Sequence, residues 1–132
     1  MKNTKLKGDI AEQRVILEAL KRSWGVSIPV GDRLPYDLVF DINGTLFKIQ
    51  VKAAWYYSAK ENYVTDVRRS LTNQRIVKHR PYQPKDFDFA IIYLAEIEVF
   101  YLMPAEVFLS YKSEIHFVES EKRQKKPHSS EY

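Results

Sequence analysis

The chain contains no cysteine, and this absence excludes several kinds of chemistry. Disulfide bonds, thiolate nucleophiles and zinc sites with cysteine ligands all need a thiol. Its three histidines, His79, His116 and His128, lack metal-ligand spacing, and we expect structural or surface roles for them. The candidate chemistry therefore rests on other residue types.

Long apolar runs are absent as well. None approaches the ~20 residues of a transmembrane helix, and the polar start at residues 1–5 does not resemble a signal peptide. We therefore expect a cytoplasmic protein. A chain of 132 residues with 45% hydrophobic side chains predicts one domain with its own core. We place that domain at residues 1–120 and a basic, polar C-terminal tail at residues 121–132.

Acidic residues are missing from one long stretch. Six lysines and arginines lie between Arg68 and Lys85 with no carboxylate among them, although the net charge of the whole chain is only +4. Four more basic residues, from Lys122 to Lys126, lie in the tail. Segregated positive charge of this kind is typical of a phosphate-binding surface. Each stretch taken alone also fits an ordinary solvated face.

Apolar periodicity predicts a first helix over about Lys5–Trp24. Its apolar side, which we expect to face the core, comprises Val15, Ile16, Leu17, Ala19, Leu20 and Trp24. Glu12 falls within the apolar arc of this helix, where a carboxylate is costly unless it has a partner. One alternative makes Asp9 the N-cap and Glu12 the third residue of a capping box. The other begins the helix near Asn3 or Thr4, which leaves Glu12 inside the helix and in need of a partner.

The dipeptide Asn43-Gly44 predicts a two-residue type I′ hairpin turn, because both central positions of that turn need positive φ. The strands are then about Tyr36–Ile42 and Thr45–Ala54. This register places Asp37 opposite Gln50, with Lys52 on the same face two residues further on. A carboxylate, an amide and an ammonium are therefore predicted to converge on one patch of sheet.

The remaining pattern predicts a mixed sheet flanked by helices, which is an α/β fold. Phe87–Leu94 is almost continuously apolar, as in a central strand that is buried on both faces. Other predicted elements are a connection over Trp55–Asn62, a strand over Tyr63–Val67, a polar helix or ordered loop over Ser70–His79, a turn at Glu96–Glu98, a strand over Val99–Met103 and a short helix from Pro104.

The predicted patch suits a metal ion bound to a phosphate. Asp37 is the expected direct ligand, and Glu12 could add a second carboxylate through water. The amide oxygen of Gln50 and the carbonyl of Val51 are further candidate ligands. Lys52 would orient the attacking water or offset developing charge. An exposed strand face, with Asp37 as a cross-strand salt-bridge partner, is the alternative interpretation.

These residues carry a resemblance to a known family. Glu12 on a helix, then Pro35-Tyr36-Asp37, then Gln50-Val51-Lys52 resembles the PD-(D/E)XK nuclease superfamily, and within it the intron-encoded homing endonucleases. Almost the whole chain takes part. Further matching segments are Gly8–Glu12, Gly31–Leu34, Tyr36–Asp41, Arg68-Arg69, Asp86–Ala90 and Ser113–His116.

The resemblance implies a restriction-endonuclease-like core that cleaves duplex DNA at a specific sequence with Mg²⁺ or Mn²⁺. This cleavage would start intron homing. It implies an active site of Glu12, Asp37, Gln50 and Lys52. Two departures from the superfamily pattern stand out. Tyr36 separates Pro35 from Asp37, and Gln50 replaces the usual acidic residue. The lost charge predicts one firmly held ion, and it also leaves open an inactive DNA-binding module. A Holliday-junction resolvase is the other alternative.

A long pseudo-palindromic DNA target has more surface than one domain of this size can contact. Cleavage of both DNA strands also needs two active sites. We therefore expect a homo-oligomer. The resemblance favours a tetramer, with Val99–Tyr111 as a candidate interface. Arginine reads guanine well, and asparagine or glutamine reads adenine. The predicted DNA-binding residues are Lys60, Asn62, Tyr63, Arg68, Arg69, Asn73, Gln74, Arg75, Lys78 and Arg80.

Overall fold

A computed structural model describes residues 4–59, 61–67, 69–72, 77–80, 82–118 and 130–131. For 69–72, 77–80 and 130–131 the description is limited to the backbone. Neither helix in these ranges is long and apolar enough to cross a membrane.

Helix α1 spans Thr4–Lys21 and therefore begins before Asp9. The capping-box alternative is wrong, and Glu12 lies inside the helix. The C-terminus comes three residues before the predicted Trp24. Ser23 adopts a positive φ of 63°, and the amides of Ser23 and Trp24 donate to the carbonyls of Leu20 and Ala19, at 3.0 and 3.1 Å. These two bonds form a Schellman motif, which satisfies carbonyls that the helix itself cannot pair.

The predicted hairpin is present. Strand β2 (Leu38–Ile42) pairs with β3 (Thr45–Tyr57) through the predicted turn, where Asn43 and Gly44 have φ of 53° and 88°. The register joins Ile42 to Thr45, as predicted. Strand β3 is longer than expected and includes three residues from the predicted connection. They form a ladder with β4 (Asn62–Asp66), in which Tyr56 pairs with Tyr63 and the two ring centroids lie 5.4 Å apart.

The sheet is mixed, as predicted. β3 pairs in parallel with β7 (Phe89–Leu94), while its other pairings are antiparallel. Within the described residues, eight strands form the sheet. Their order is β1 (Gly25–Ser27), β2, β3, β7, β8 (Val99–Pro104), β10 (Ser130–Glu131), with β4 attached to β3 and β9 (Glu114–Phe117) attached to β4. The short helix α2 spans Ala105–Leu109, directly after Pro104.

The segment predicted as a polar helix or ordered loop is a strand pair. β5 (Arg69–Thr72) and β6 (Val77–Arg80) form a separate antiparallel ladder that joins Arg69 to Arg80. Thr72 and Val77 are β-branched and face each other at the end of this ladder, and such residues favour strands over helices. The polar composition of this stretch did not predict the ladder, because polarity alone does not determine backbone conformation.

The core lies on both faces of the sheet, and β7 confirms the prediction of a doubly buried strand. Ile91 and Tyr93 pack in the cluster beneath α1, while Ala90 and Ile92 pack in the cluster that includes Phe108 of α2. In the segment Val99–Tyr111, Tyr101, Met103 and Phe108 are buried in the chain's own core, whereas Val107 is 39% exposed. A role of this segment in an interface stays a prediction.

Strand β10 lies inside the predicted tail. Its residues Ser130 and Glu131 pair with Leu102 and Tyr101 of β8. Residues 119–129 lie outside the described part of the chain. The division into a domain and a tail at residue 120 therefore stays a prediction.

Candidate active site

A gap opens in the ladder on one side of β3. The last pair with β2 joins Leu38 to Ile49, and the first pair with β4 joins Trp55 to Val64. Among the described strands, residues 50–54 pair with β7 alone. We call these five residues, together with the space between the ends of β2 and β4, the notch. Three predicted site residues, Gln50, Val51 and Lys52, lie in it.

Side chains satisfy backbone groups that a neighbouring strand would otherwise pair at the notch. Asp37, the residue before β2, accepts a 2.8 Å hydrogen bond from the Val51 amide on its Oδ2 atom. Thr65 of β4 donates from its hydroxyl to the Ala53 carbonyl at 3.0 Å. A buried backbone group left unpaired is costly, so these two bonds stabilise the opening in the sheet.

Gln50 confirms the register derived from the turn. Its Nε2 atom donates a 2.9 Å hydrogen bond to Asp37 Oδ2, and the residue is only 8% exposed. Asp37 Oδ2 is an acceptor, because the Val51 amide can only donate to it. The amide of Gln50 must therefore point its nitrogen at Asp37 and its oxygen elsewhere. Neither Gln50 Oε1 nor Asp37 Oδ1 accepts a hydrogen bond from any residue within the described ranges.

Glu12 is half-buried on α1, which packs under the face of β3 that carries Ile49 and Val51. Burial raises the pKa of Glu12, and the negative charges of Asp37 and Asp9 raise it further. Burial also raises the pKa of Asp37, although the Val51 amide and the Lys52 ammonium oppose this shift. Two carboxylates that are both harder to ionise than usual would gain from a cation between them.

Lys52 shares the sheet face of Gln50, and two residues that the sequence did not indicate, Tyr82 and Asp66, act on its ammonium. Nζ lies 5.3 Å from the ring centroid of Tyr82, which is 8% exposed. Burial lowers the pKa of Lys52, while the charges of Asp66 and Asp37 raise it. Asp66 ends β4, across the notch, so only the tertiary fold brings it near Lys52.

The loop that follows Tyr82 is tied to β3 as well. The Lys48 ammonium donates to the Lys85 carbonyl at 2.6 Å, and the Lys48 amide donates to Asp88 Oδ2 at 2.7 Å. Within the loop, the Gln83 amide donates to Asp86 at 2.7 Å. Strand β3 thus carries both Lys52 and Lys48, which binds the loop. These bonds help to keep the Tyr82 ring over the Lys52 ammonium.

The oxygen donors at the notch fit a hard divalent cation. Glu12 and Asp37 supply two carboxylates, and Gln50 Oε1 supplies a neutral oxygen. The Val51 carbonyl points to the same side of β3 as the Val51 amide, and it receives a 3.4 Å contact from Gln50 Nε2, longer than an ordinary hydrogen bond. Within the described ranges, no three histidine, cysteine or acidic side chains form a metal-binding group. Such a cation would therefore keep several of its waters, as Mg²⁺ commonly does.

The predicted DNA contacts fall into three groups. Asn62 and Tyr63 lie on β4, where Asn62 Nδ2 is 3.4 Å from His116 Nδ1 and the Tyr63 ring packs on Tyr56. Arg69, Lys78 and Arg80 belong to the β5–β6 ladder, of which the backbone is described. The others lie outside the described residues: Lys60, Arg68, Asn73, Gln74 and Arg75.

The aromatic residues at the end of β3 are only partly buried. Tyr56 and Tyr57 are each 44% exposed. Trp55 is half-buried, and the Lys7 ammonium lies 4.1 Å from its ring centroid.

Comparison with known proteins connects this geometry to a chemistry. The sequence profile of the PD-(D/E)XK endonuclease family matches residues 2–132. The solved structure of a bacterial homing endonuclease, I-Ssp6803I, is 57% identical in sequence, with a TM-score of 0.83. That similarity covers 95% of this chain and 84% of the other. Comparison with curated proteins gives no match.

Proposed function

Because the chain belongs to the PD-(D/E)XK endonuclease family and has its restriction-endonuclease-like fold, we propose that it is a homing endonuclease, with its active site at the notch. The protein is an endonuclease that hydrolyses phosphodiester bonds in DNA. The observation that carries the assignment is the bond between Gln50 and Asp37, with the Val51 amide on the same carboxylate oxygen. This bond places the Gln-X-Lys strand beside the acidic residue that the family motif requires.

PD-(D/E)XK nucleases generally use divalent metals, and the donor set described above fits one. Mg²⁺ or Mn²⁺ is the proposed ion, held by Asp37, Glu12, Gln50 Oε1 and the Val51 carbonyl. When bound, it would stabilise negative charge on the scissile phosphate and lower the pKa of water. Gln50 carries no charge, so the site has two carboxylates rather than three. We infer that it holds one ion firmly.

The protein's own side chains supply the remaining chemistry. Lys52 lies on the same face as Gln50, and we assign its ammonium to orienting the attacking water or to offsetting charge that develops on the phosphate. The Tyr82 ring contacts this ammonium through its π-face. This contact is a cation–π interaction and not a hydrogen bond. Asp37 holds the Val51 amide and the Gln50 amide in place, which keeps Gln50 Oε1 directed away from the carboxylate.

Recognition of the target is assigned to the basic stretch that includes the β5–β6 ladder. That stretch, Arg68–Lys85, contains six basic residues and no acidic one. Phosphate contacts from such residues give affinity that falls steeply with salt, and base contacts give the sequence preference. We propose a long pseudo-palindromic duplex as the target, cut by a homotetramer during intron homing.

Cleavage of defined substrates tests this proposal. Wild type and Lys52→Ala are incubated with Mg²⁺ and either a duplex that spans an uninterrupted intron-insertion site or a four-way junction. We expect wild type to cut only the duplex, and Lys52→Ala to cut neither. Lys112→Ala, which removes an exposed lysine, is the matched control and should cut like wild type.

Other outcomes would redirect the assignment. Cutting of the junction alone would indicate a resolvase. Tight binding of the duplex without any cutting would indicate a DNA-binding module that has lost activity, provided that the duplex is shown to be the one it binds. Cutting by Lys52→Ala would remove Lys52 from the site.

A further inference from the structure

A cavity opens where the parallel ladder between β3 and β7 ends. The last pair of that ladder joins Ala54 to Leu94, and the cavity lies at this end, against the N-terminal half of α1. Ligands of α/β sheets commonly bind at the carboxyl ends of parallel strands. The cavity has a volume of about 240 Å³, and besides Ala54 its walls are Lys7, Ile10, Ala53, Trp55, Ala95 and Glu96. We call this space the Trp55 cavity.

The size and lining of the Trp55 cavity suit one flat ring system. An apolar cavity of ~150 Å³ is large enough for benzene, and sites for drug-sized ligands begin near ~300 Å³. The Trp55 cavity lies between these two sizes. Trp55 is half-buried and supplies aromatic surface, while Ile10 and Ala53 supply aliphatic surface. A single nucleobase fits this combination of size and lining, because every base has a flat face that stacks on an aromatic ring.

The two charged side chains of the cavity match different parts of a nucleotide. The Lys7 ammonium lies 4.1 Å from the ring centroid of Trp55, and an ammonium is a natural partner for a phosphate. Glu96 Oε2 receives a long 3.5 Å contact from the Tyr56 amide, and no residue within the described ranges donates a hydrogen bond to Oε1. A carboxylate repels phosphate, but it accepts hydrogen bonds from the amino group of cytosine. Glu96 therefore favours a base edge as its partner.

The same two elements carry the Trp55 cavity and the proposed active site. On α1, Lys7 precedes Glu12 by five residues, a rise of about 7.5 Å. On β3, Trp55 follows Lys52 by three residues, a length of about 10 Å. Successive phosphates of one DNA strand are separated by about 3.4 Å along the helix axis. The cavity is thus within about three nucleotides of a phosphate that binds at the notch.

We propose that the Trp55 cavity receives one base that leaves the DNA stack beside the scissile phosphate. The base replaces the Lys7 ammonium on the Trp55 ring, its amino group donates to Glu96, and Lys7 moves to the neighbouring phosphate. Cytosine and adenine carry such an amino group, whereas thymine does not. The inference rests on the proposed function, because it needs DNA at the notch. It adds a position of sequence selection close to the cut.

Mismatched duplexes test whether a base is extruded. A mismatched base leaves the stack at a lower cost than a paired one. We therefore expect one mismatch, at a position within about three base pairs of the cut, to tighten wild-type binding by about tenfold. Each position of the duplex is changed in turn on the opposite strand, and affinity is measured in EDTA so that no strand is cut. Absence of tightening at every position would overturn the proposal.

Variants at Trp55 show whether the extruded base reaches this cavity. Trp55→Ala should reduce the gain from the mismatch to less than about threefold, because the base loses its stacking surface. Trp55→Phe keeps an aromatic ring and should keep most of the gain. An equal gain in wild type and Trp55→Ala would overturn the proposal, since the tightening would then come from flexibility of the DNA alone.

Glu96→Gln tests how the base is read without removing any packing. Wild type should bind more tightly when the mismatched base is cytosine than when it is thymine. Glu96→Gln should reduce this preference, because an amide donates to thymine as readily as it accepts from cytosine. Glu106→Gln, which makes the same change at an exposed residue of α2, should keep the preference. An unchanged preference in Glu96→Gln would overturn this placement of the base.

Tryptophan emission reports on the cavity directly. The chain has two tryptophans, so Trp24→Phe leaves Trp55 as the single emitter. We expect saturating duplex to quench this emission by stacking. Trp55→Phe is the control, since Trp24 lies beyond the opposite end of α1 and packs on Phe40, and its emission should stay constant. Unchanged Trp55 emission in the presence of saturating duplex would overturn the proposal. Quenching by deoxycytidine monophosphate but not by duplex would also overturn it, and would indicate a site for a free nucleotide.

These results are separable from those that test the enzyme itself. Wild type that cuts the duplex but shows no mismatch effect contradicts the role of the Trp55 cavity and leaves the proposed function intact. A mismatch effect that depends on Trp55, in a protein that cuts no DNA, contradicts the proposed function and leaves the role of the cavity intact.

Discussion

Gln50 of β3 and Asp37, the residue that precedes β2, are joined by a 2.9 Å hydrogen bond. The same Asp37 oxygen accepts the Val51 amide, which has no neighbouring strand on that side among the described residues. The Asp37 carboxylate therefore satisfies a backbone amide at the notch and also orients the side-chain amide of Gln50. Structure and proposed catalysis depend on the same pair of residues.

Restoring an acidic residue at position 50 separates these two roles. In Gln50→Glu, a third carboxylate joins Asp37 and Glu12, and ligand charge tightens metal binding by about tenfold. Without metal the variant should be less stable than wild type, because the donor to Asp37 becomes a like charge. Thermal unfolding at pH 8 across a Mg²⁺ titration measures both effects. Gln50→Ala is the control, since it loses the hydrogen bond without adding charge. An unchanged metal midpoint in Gln50→Glu would remove residue 50 from the donor set.

The pH dependence of stability follows from the raised pKa values of Glu12 and Asp37. On unfolding, the pKa of each carboxyl group falls back towards its ordinary value. At a pH between the unfolded-state pKa and the folded-state pKa, the folded chain therefore binds more protons than the unfolded chain. The free energy of unfolding without metal should therefore fall as the pH rises through the folded-state pKa values of these groups. Urea unfolding in EDTA from pH 3.5 to pH 8 checks the sign.

Asp37→Asn provides the comparison for that experiment. It removes one of the two titrating groups, so its unfolding free energy should depend less on pH than that of wild type. Two results would contradict the raised pKa values of the two buried carboxyl groups. One is a wild-type free energy of unfolding that rises throughout this pH range, and the other is the same pH dependence in Asp37→Asn as in wild type.

The ring of Tyr82 is expected to position Lys52 for cleavage. Tyr82→Phe keeps the ring under the ammonium and should cut DNA within about threefold of wild type, whereas Tyr82→Leu should lose about tenfold or more in the single-turnover rate. DNA affinity should change little in either variant, because Lys52 acts on the reacting phosphate.

Phe87→Leu is the matched control for Tyr82→Leu. Phe87 packs edge-on against Tyr82 at 5.2 Å in the same aromatic cluster, and the ring over Lys52 belongs to Tyr82. Both leucine variants should lose stability, so a role in folding alone would slow them equally. Equal cleavage rates for the two variants would show that Tyr82 acts only in packing.

The hairpin and its register were predictable because local chemistry determines them. Asn43 and Gly44 tolerate the positive φ that a type I′ turn needs, and the turn then sets every pairing back to Asp37. The contact between Asp37 and Gln50 follows from counting residues. The buried central strand over Phe89–Leu94 was predictable for a similar reason, since its apolar run has no polar face.

Other features depend on tertiary contacts that no local pattern encodes. The notch exists because the ladder with β2 stops at Ile49 and the ladder with β4 starts only at Trp55. Strand β4 in turn pairs on its other side with β9, which is distant in the sequence. The neighbours of Lys52, Asp66 and Tyr82, come from separate elements. The predicted apolar arc of α1 placed Leu17 and Leu20 against the core, yet both are exposed. Periodicity shows that a helix has apolar positions, but it does not show which of them meet the sheet.

The most direct test of the active site compares two identical substitutions on neighbouring carboxylates. Asp37→Asn and Asp41→Asn both exchange aspartate for asparagine near β2. Asp41 is exposed, and it accepts the Gly44 amide at 2.9 Å within the turn. The measurement is the single-turnover rate of Mg²⁺-dependent DNA cleavage, with DNA affinity measured in parallel.

We expect Asp37→Asn to lose about 100-fold or more in rate while it binds DNA within a few-fold of wild type, because the missing charge weakens the proposed cation site and not the contacts to DNA. Asp41→Asn should cleave at close to the wild-type rate. Cleavage by Asp37→Asn at the wild-type rate would contradict the assignment of the notch as the active site.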